Sequence, residues 1–307
     1  LAFPRLEPQF LETLAADYDL LHLEMAAGMD SQPPERLHGI RAVLTAGPIG
    51  FTQAMFEACP DIEAVVTLGA GFDRVDLRTA KSRGIVLGNA SGANAGCVAE
   101  HSMALLLALV RRIPQLHARV AAGKWRPRGE HRQVSGRRLG IIGMGAIGRE
   151  IARMAGAFGM EIAYMGRSRR PELPFQFFAE PAALADFAEV LVLACPGGRE
   201  THHLVGKDVL AALGPEGYLV NIARGSVVDT AALVEALRAE TIAGAALDVF
   251  DNEPKVPAEL RALENVILTP HVAGNSIESR AAMFAQARAN LAAFFAGEPL
   301  PGAVAIP

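Results

Sequence analysis

Cysteine is scarce in this sequence of 307 residues. Cys59, Cys97 and Cys195 lie far apart and form no C-x-x-C pair, which argues against a disulfide scaffold or a zinc site and fits a reducing compartment. Long apolar runs are missing too. The longest lies within Met103 to Val110, well short of the roughly 20 residues that a membrane-crossing helix needs. Basic charge is not in excess: 29 Lys and Arg stand against 33 Asp and Glu, a formal charge of −4. Such a balance makes a poor nonspecific binder of nucleic acid or of an anionic membrane. No signal-peptide pattern, internal repeat or low-complexity tract is found, and a cytoplasmic location is the expectation. What is abundant is apolar surface, 51% of residues against 20% charged, so the chain can bury a large core. Its length favours two domains over one.

Helix and strand patterns alternate along the chain. Residues 6–16 read as a helix and 19–24 as a strand. Short apolar runs follow at 42–45, 64–67 and 85–87, separated by turn signals such as Gly47-Pro48 and Gly69-Ala70-Gly71. A helix from Val98 to Arg112 is apolar nearly all round, so it must be buried on several sides. A second strand–helix series begins at Arg138, with strands at 139–142, 161–165, 190–194, 218–222, 244–247 and 266–268. The final helix, about 277–295, is expected to start at Asn275, with Glu278 three residues on, and to stop at Gly297. Such alternation implies parallel sheets covered by helices on both faces.

Gly143-Met144-Gly145-Ala146-Ile147-Gly148 is G-x-G-x-x-G, placed after a strand and opening a helix. In a dinucleotide-binding turn the first glycine allows the bend. The second admits the pyrophosphate, and the third lets helix and strand pack closely. The helix start offers N–H groups and partial positive charge to phosphate. A methyltransferase with a similar glycine loop is the competing reading. The second strand of the series ends at Gly166, where an NAD-binding chain usually places Asp or Glu for the ribose hydroxyls. Arg167, Ser168, Arg169 and Arg170 follow instead. Arginine can pair with a 2′-phosphate that a carboxylate would repel. The expected cofactor is therefore NADP(H), with NAD(H) second.

Three later strands end in unusual polar residues: Arg224 after 218–222, Glu253 after 244–247, and His271 after 266–268. Ligands of a doubly wound sheet bind outside the carboxyl ends of its strands, so these three can converge. Together they suit carbonyl reduction. His271 can give a proton near neutral pH, Glu253 can favour the imidazolium, and Arg224 can hold a carboxylate by two bonds.

The sequence resembles the D-isomer-specific 2-hydroxyacid dehydrogenases along most of its length. The likeness rests on Gly69-Ala70-Gly71-Phe72-Asp73, Val98-Ala99-Glu100-His101, the glycine turn, the stretch from Val220 to Asp229, Leu247-Asp248-Val249-Phe250 through Glu253-Pro254, and Thr269-Pro270-His271. Tyr164-Met165-Gly166-Arg167-Ser168 looks like the NADPH-linked glyoxylate/hydroxypyruvate and hydroxyphenylpyruvate reductase branch. The resemblance implies two doubly wound α/β domains. A Rossmann dinucleotide-binding domain, about 94–274, is inserted into a flavodoxin-like substrate domain made of 1–93 and 275–307. It implies Arg224 as binder of the 2-keto acid, His271 as acid/base and Glu253 as its partner. Cofactor contacts are implied at Gly143, Gly145, Ala146, Ile147, Gly148, Arg167, Ser168, Arg169, Cys195, Pro196, Thr201, Ala223, Asp248 and Gly274. Asp248 would stand near the nicotinamide carboxamide. The N–H groups around Leu68 and Gly69 would cradle the substrate carboxylate. The helix from Val98 to Arg112 would form a homodimer interface.

The expected activity is NADPH-preferring reduction of small 2-keto acids such as glyoxylate and hydroxypyruvate to D-2-hydroxy acids. Alternatives are a reductase of hydroxyphenylpyruvate or another 2-keto acid, a phosphoglycerate dehydrogenase-like enzyme, and a dinucleotide-sensing, corepressor-like interaction protein. The sequence departs from the family at Ala146, often Arg; at Val272-Ala273-Gly274-Asn275, usually Gly-Ser after the histidine; and at Gly197-Gly198-Arg199, where a bulkier loop is common. No metal site is expected: His202 and His203 should point apart on a regular element. His101 reads as a core or interface residue. Trp125 lies in a loop with Lys124, Arg126 and Arg128; it either simply packs or, as the family resemblance implies, reaches a neighbouring active site.

Overall fold

The computed structural model describes residues 1–3, 6–24, 26–29, 31–125 and 132–306; Arg126 and Arg128 of the Trp125 loop lie outside them. Ten strands are described: β1 (Ala42–Ala46), β2 (Ala64–Leu68), β3 (Val86–Asn89), β4 (Arg138–Ile142), β5 (Glu161–Met165), β6 (Gln176–Phe177), β7 (Val190–Leu193), β8 (Tyr218–Asn221), β9 (Gly244–Leu247) and β10 (Val266–Leu268). The described α-helices are α1 (Pro8–Asp17), α2 (Pro34–Leu37), α3 (Gln53–Ala58), α4 (Leu77–Ser82), α5 (Ala95–Val110), α6 (Ile113–Ala121), α7 (Ala146–Ala157), α8 (Pro181–Phe187), α9 (Lys207–Leu213), α10 (Thr230–Arg238), α11 (Ala258–Arg261) and α12 (Ile277–Ala296). The chain forms two compact units, one of Leu1–Asn94 with Ser276–Pro307 and one of Ala95–Asn275.

The first unit holds a parallel sheet in the order β1-β2-β3. Ala2 extends it with single parallel bridges to Leu44 of β1 and to His22. With these two short segments the order becomes 2-1-3-4-5, the flavodoxin-like arrangement. Residues 19–24 therefore contribute one bridge rather than the expected strand. Val43, Val65, Val66 and Leu87 of the strands are buried, as a sheet covered on both faces requires. Helix α12 packs on β2 and β3. Its N-cap is Ser276, whose hydroxyl accepts from Ser279 N at 3.0 Å. The cap thus falls one residue after the expected Asn275, and Glu278 sits in the first turn. Buried Asn290 of α12 donates to Asn89 O at 3.0 Å and accepts from Gly302 N at 2.7 Å.

The second unit carries a fully parallel sheet in the order β10-β9-β8-β7-β4-β5-β6. Renumbered from β4, its first six strands run 3-2-1-4-5-6, the Rossmann order. The strand order reverses between β4 and β7, where such sheets bind ligands. All four residues of β7, β8 and β9 are buried. Each fully buried aliphatic chain contributes about 1.5–3 kcal/mol relative to exposure. Helix α5 packs on β8, β9 and β10. It begins at Ala95 and ends at Val110, before the expected Arg112. Arg112 adopts a left-handed backbone, φ 52, that turns the chain into α6. The two-residue β6 gave no pattern of its own in the sequence.

Candidate active site

The glycine turn lies at the carboxyl end of β4, at the reversal point. Its three glycines do different work. Gly143 has φ +102, and a Cβ there would lie 2.5 Å from Cys195 N. A Cβ on Gly148 would lie 2.1 Å from Gly143 O. These two are glycine because neighbouring backbone occupies the space. Gly145 meets nothing within 4 Å and is exposed, as is Ala146. Gly145 caps α7 without any side-chain acceptor, so the first N–H groups of a twelve-residue helix are presented to an anion. Ile147 is half-buried beside them.

Beyond β5, Gly166 is also open; the nearest atom to an added Cβ is Ser168 O at 3.9 Å. Arg167, Ser168 and Arg169 are exposed. Buried Tyr164 anchors the loop: its hydroxyl accepts from Arg170 N at 2.6 Å. Glu172 pairs with Arg149 of α7 at 2.9 Å. At the end of β7, Cys195 is buried and Pro196 exposed, and Thr201 donates its hydroxyl proton to Pro196 O at 2.8 Å, closing that loop. Burial pushes the Cys195 thiol up to about 11. An open cradle at Gly145, a free helix start and exposed arginines past β5 fit a dinucleotide with an additional phosphate.

Arg224, Glu253 and His271 stand past the ends of β8, β9 and β10. Arg224 follows β8 in a turn held by Asn221, which accepts from Ala223 N at 3.0 Å and donates to Arg224 O at 3.0 Å. Arg224 also donates to Ala223 O at 2.7 Å. Gly225 explains how this turn meets the next. A Cβ on it would lie 2.0 Å from the carbonyl carbon of Phe250, so only glycine lets the two loops touch. In the second loop Glu253 accepts from Phe250 N at 3.0 Å through Oε1. Its Oε2 lies 2.8 Å from His271 Nδ1. His271 has a left-handed backbone, φ 53, a conformation that a non-glycine residue keeps only when its surroundings hold it.

Asp248 supplies that hold. It is 1% exposed. Its Oδ1 accepts from Thr269 Oγ1 at 2.6 Å and Val272 N at 3.0 Å, its Oδ2 from Ala273 N at 2.9 Å, and its carbonyl from His271 N at 2.8 Å. The sequence signalled Asp248 but not this anchoring role. It also missed His101, whose Nε2 lies 3.1 Å from Thr269 Oγ1, and Cys97, which donates to Ala273 O at 3.1 Å. A lone histidine on an apolar helix was the available signal for the first. Gly274 is half-buried just beyond these residues.

Leu68 and Gly69 belong to the first unit, at the carboxyl end of β2. Gly69 has φ +85 and its carbonyl accepts from Ala90 N at 2.9 Å. The rings of His202 and His203 do not diverge; they stack with centroids 3.9 Å apart. They sit at the end of a 3-10 turn, and His203 is left-handed with φ 51, so the rule for regular elements does not apply. Trp125 is 79% exposed. No helix of the described residues is long and apolar enough to cross a membrane.

A doubly wound sheet with a phosphate-ready glycine turn and a His–Glu pair with Arg at neighbouring strand ends defines a dinucleotide-linked oxidoreductase. Comparison with known proteins carries this further. Residues 103–273 match the model of the NAD binding domain of D-isomer specific 2-hydroxyacid dehydrogenases. A glyoxylate/hydroxypyruvate reductase of Arabidopsis thaliana is 38% identical over 270 residues, covering 87% of this chain and 84% of the relative. The hydroxyphenylpyruvate reductase of Plectranthus scutellarioides is 38% identical, with 88% and 89% covered. Among solved structures, the NADPH-dependent glyoxylate/hydroxypyruvate reductase of Sinorhizobium meliloti, in complex with NADP and malonate, superposes with a TM-score of 0.92 at 35% identity, covering 99% of this chain and 96% of that one. The chain belongs to the D-isomer specific 2-hydroxyacid dehydrogenases. It is an NAD(P)-dependent oxidoreductase that reduces 2-keto acids.

Proposed function

We propose that this enzyme reduces small 2-keto acids, glyoxylate and hydroxypyruvate foremost, to D-2-hydroxy acids with NADPH preferred over NADH. The observation that carries the reading is the His271–Glu253 pair at 2.8 Å, seated beside the Arg224 turn. A bound nicotinamide dinucleotide supplies the hydride. Glu253 takes the Nδ1 proton of His271 in a hydrogen bond, fixing the ring with Nε2 toward the substrate. His271 then gives its Nε2 proton to the carbonyl oxygen as negative charge develops there. Arg224 holds the keto acid and favours that charge.

The NADPH preference is supported by Gly166 at the ribose-binding position and by exposed Arg167 and Arg169; Gly143, Gly145, Ala146, Ile147 and Gly148 cradle the pyrophosphate. Cys195, Pro196, Thr201, Ala223, Asp248 and Gly274 complete the cofactor contacts. A homodimer through α5 is supported by exposed Ala104 and half-buried Leu107 and Ala108 on that helix, and by Ile113 and Val120 on α6, 52% and 56% exposed. A cytoplasmic location accords with three unpaired thiols.

The test is turnover of purified protein with glyoxylate, hydroxypyruvate, pyruvate and hydroxyphenylpyruvate, each with NADPH and NADH. Glyoxylate or hydroxypyruvate with NADPH should give the highest kcat/KM. A higher value with hydroxyphenylpyruvate, or with NADH throughout, would overturn the proposal.

A further inference from the structure

The apolar helix α5 carries one imidazole. His101 is half-buried, its side chain 24% exposed, among the buried Val98, Ala99, Ser102 and Leu105 of the same helix. Its Nε2 lies 3.1 Å from Thr269 Oγ1 and 3.5 Å from Asp248 Oδ1. Thr269 has one hydroxyl proton, and it is directed to Asp248 at 2.6 Å. Toward His101 the hydroxyl oxygen can then only accept, so His101 Nε2 is the donor. A continuous chain of bonds results: His101 to Thr269, Thr269 to Asp248, and Asp248 to the backbone of 271–273.

The far end of that chain is the turn bearing His271. Three peptide groups there are bound by Asp248, through both carboxylate oxygens and the backbone carbonyl. The φ of 53 at His271 makes the turn dependent on them. Asp248 is 1% exposed, so its negative charge needs compensation from fixed donors rather than water. His101 contributes to that compensation through Thr269.

We infer that His101 is a positioning residue for the reduction: acting through Thr269 and Asp248, it fixes the backbone turn from which His271 delivers its proton. The inference rests on His271 being the proton donor. His101 touches neither reacting atom nor proton, and its effect falls on kcat rather than on cofactor binding.

Wild type, His101→Leu and His101→Gln are compared on the best keto acid with NADPH, with His271→Ala alongside. Leucine fills the volume without a donor, whereas glutamine keeps an N–H near the position of Nε2. His101→Leu should lose about tenfold in kcat, the size expected when one hydrogen bond near a charged group is lost. His101→Gln should recover to within about threefold of wild type, and KM for NADPH should stay within about twofold in both, since the change acts on transition-state geometry. Equal kcat for the leucine and glutamine variants, at any level, overturns the inference, because packing alone would then account for His101. If the leucine variant does not fold, Thr269→Val breaks the same chain at its next link. It should show the kcat loss with NADPH affinity retained, and wild-type kcat there overturns the inference. Turnover retained by His271→Ala overturns the reading beneath it instead, so the two failures are distinguishable.

Discussion

Glu253 Oε2 and His271 Nδ1 stand 2.8 Å apart, although they lie 18 positions apart in sequence. Each is held by backbone: Glu253 by Phe250 N, and His271 by Asp248 O. The pair is thus rigid at both ends, which a proton donor needs if its ring is to meet the substrate without reorganising.

From that pair we predict that His271→Ala lowers kcat for keto-acid reduction by about 10²–10⁴-fold, the usual worth of a general acid. NADPH binding, measured by fluorescence titration, should stay near normal. Glu253→Gln should fall between wild type and His271→Ala, since the amide keeps an acceptor but loses the charge. Near-wild-type turnover in His271→Ala would rule out the assigned acid.

Cofactor choice gives a second prediction. Arg167→Ala should weaken NADPH by about tenfold or more, as expected for loss of a charge-assisted contact, and leave NADH nearly unchanged. Gly166→Asp is sterically free, with only Ser168 O at 3.9 Å from the new Cβ. It should reverse the preference by placing a carboxylate where the ribose hydroxyls bind. Steady-state KM values for both cofactors decide this. Equal losses for NADH and NADPH in Arg167→Ala would make the arginines ordinary surface charge.

Gly225 supplies a stability prediction. An alanine methyl there would overlap backbone at 2.0 Å from the Phe250 carbonyl carbon, and backbone yields poorly. Gly225→Ala should cost about 1–3 kcal/mol or more, visible as a lower melting temperature, together with loss of turnover as the Arg224 and Glu253 loops separate. An unchanged melting temperature would show that the two loops can part freely.

Thiol chemistry provides a fourth. Burial raises the Cys195 thiol from 9.0 to about 11, so the thiolate is scarce at pH 8. Half-exposed Cys97 should react with iodoacetamide first, ahead of the buried Cys195 and Cys59. Peptide mapping after timed labelling checks the order, and early labelling of Cys195 would contradict it.

The sequence was most readable where chemistry forces a residue type. A glycine turn after a strand, and polar residues past strands otherwise entirely apolar, marked the site because few other settings use them. Contacts between distant segments were not readable. Nothing local says that His101 reaches Thr269, or that Gly225 must be glycine on account of Phe250. Local geometry misled in three places. The segment 19–24 has the pattern of a strand but makes one bridge at His22. The start of α12 falls on Ser276 because its hydroxyl reaches Ser279 N, which composition does not separate from a cap at Asn275. His202 and His203 stack because a left-handed residue, His203, sits between a 3-10 turn and the single bridge at Val205.

The first unit is made from both ends of the chain, and this fixes an order of events during synthesis. Residues 95–275 can close their own sheet as soon as they have left the ribosome. β2 and β3 emerge long before, yet the helix that covers them, α12, is made only after that unit, as is Gly302, whose N–H pairs with Asn290. Two strands made before the second unit must therefore wait, one apolar face uncovered, for a helix made after it.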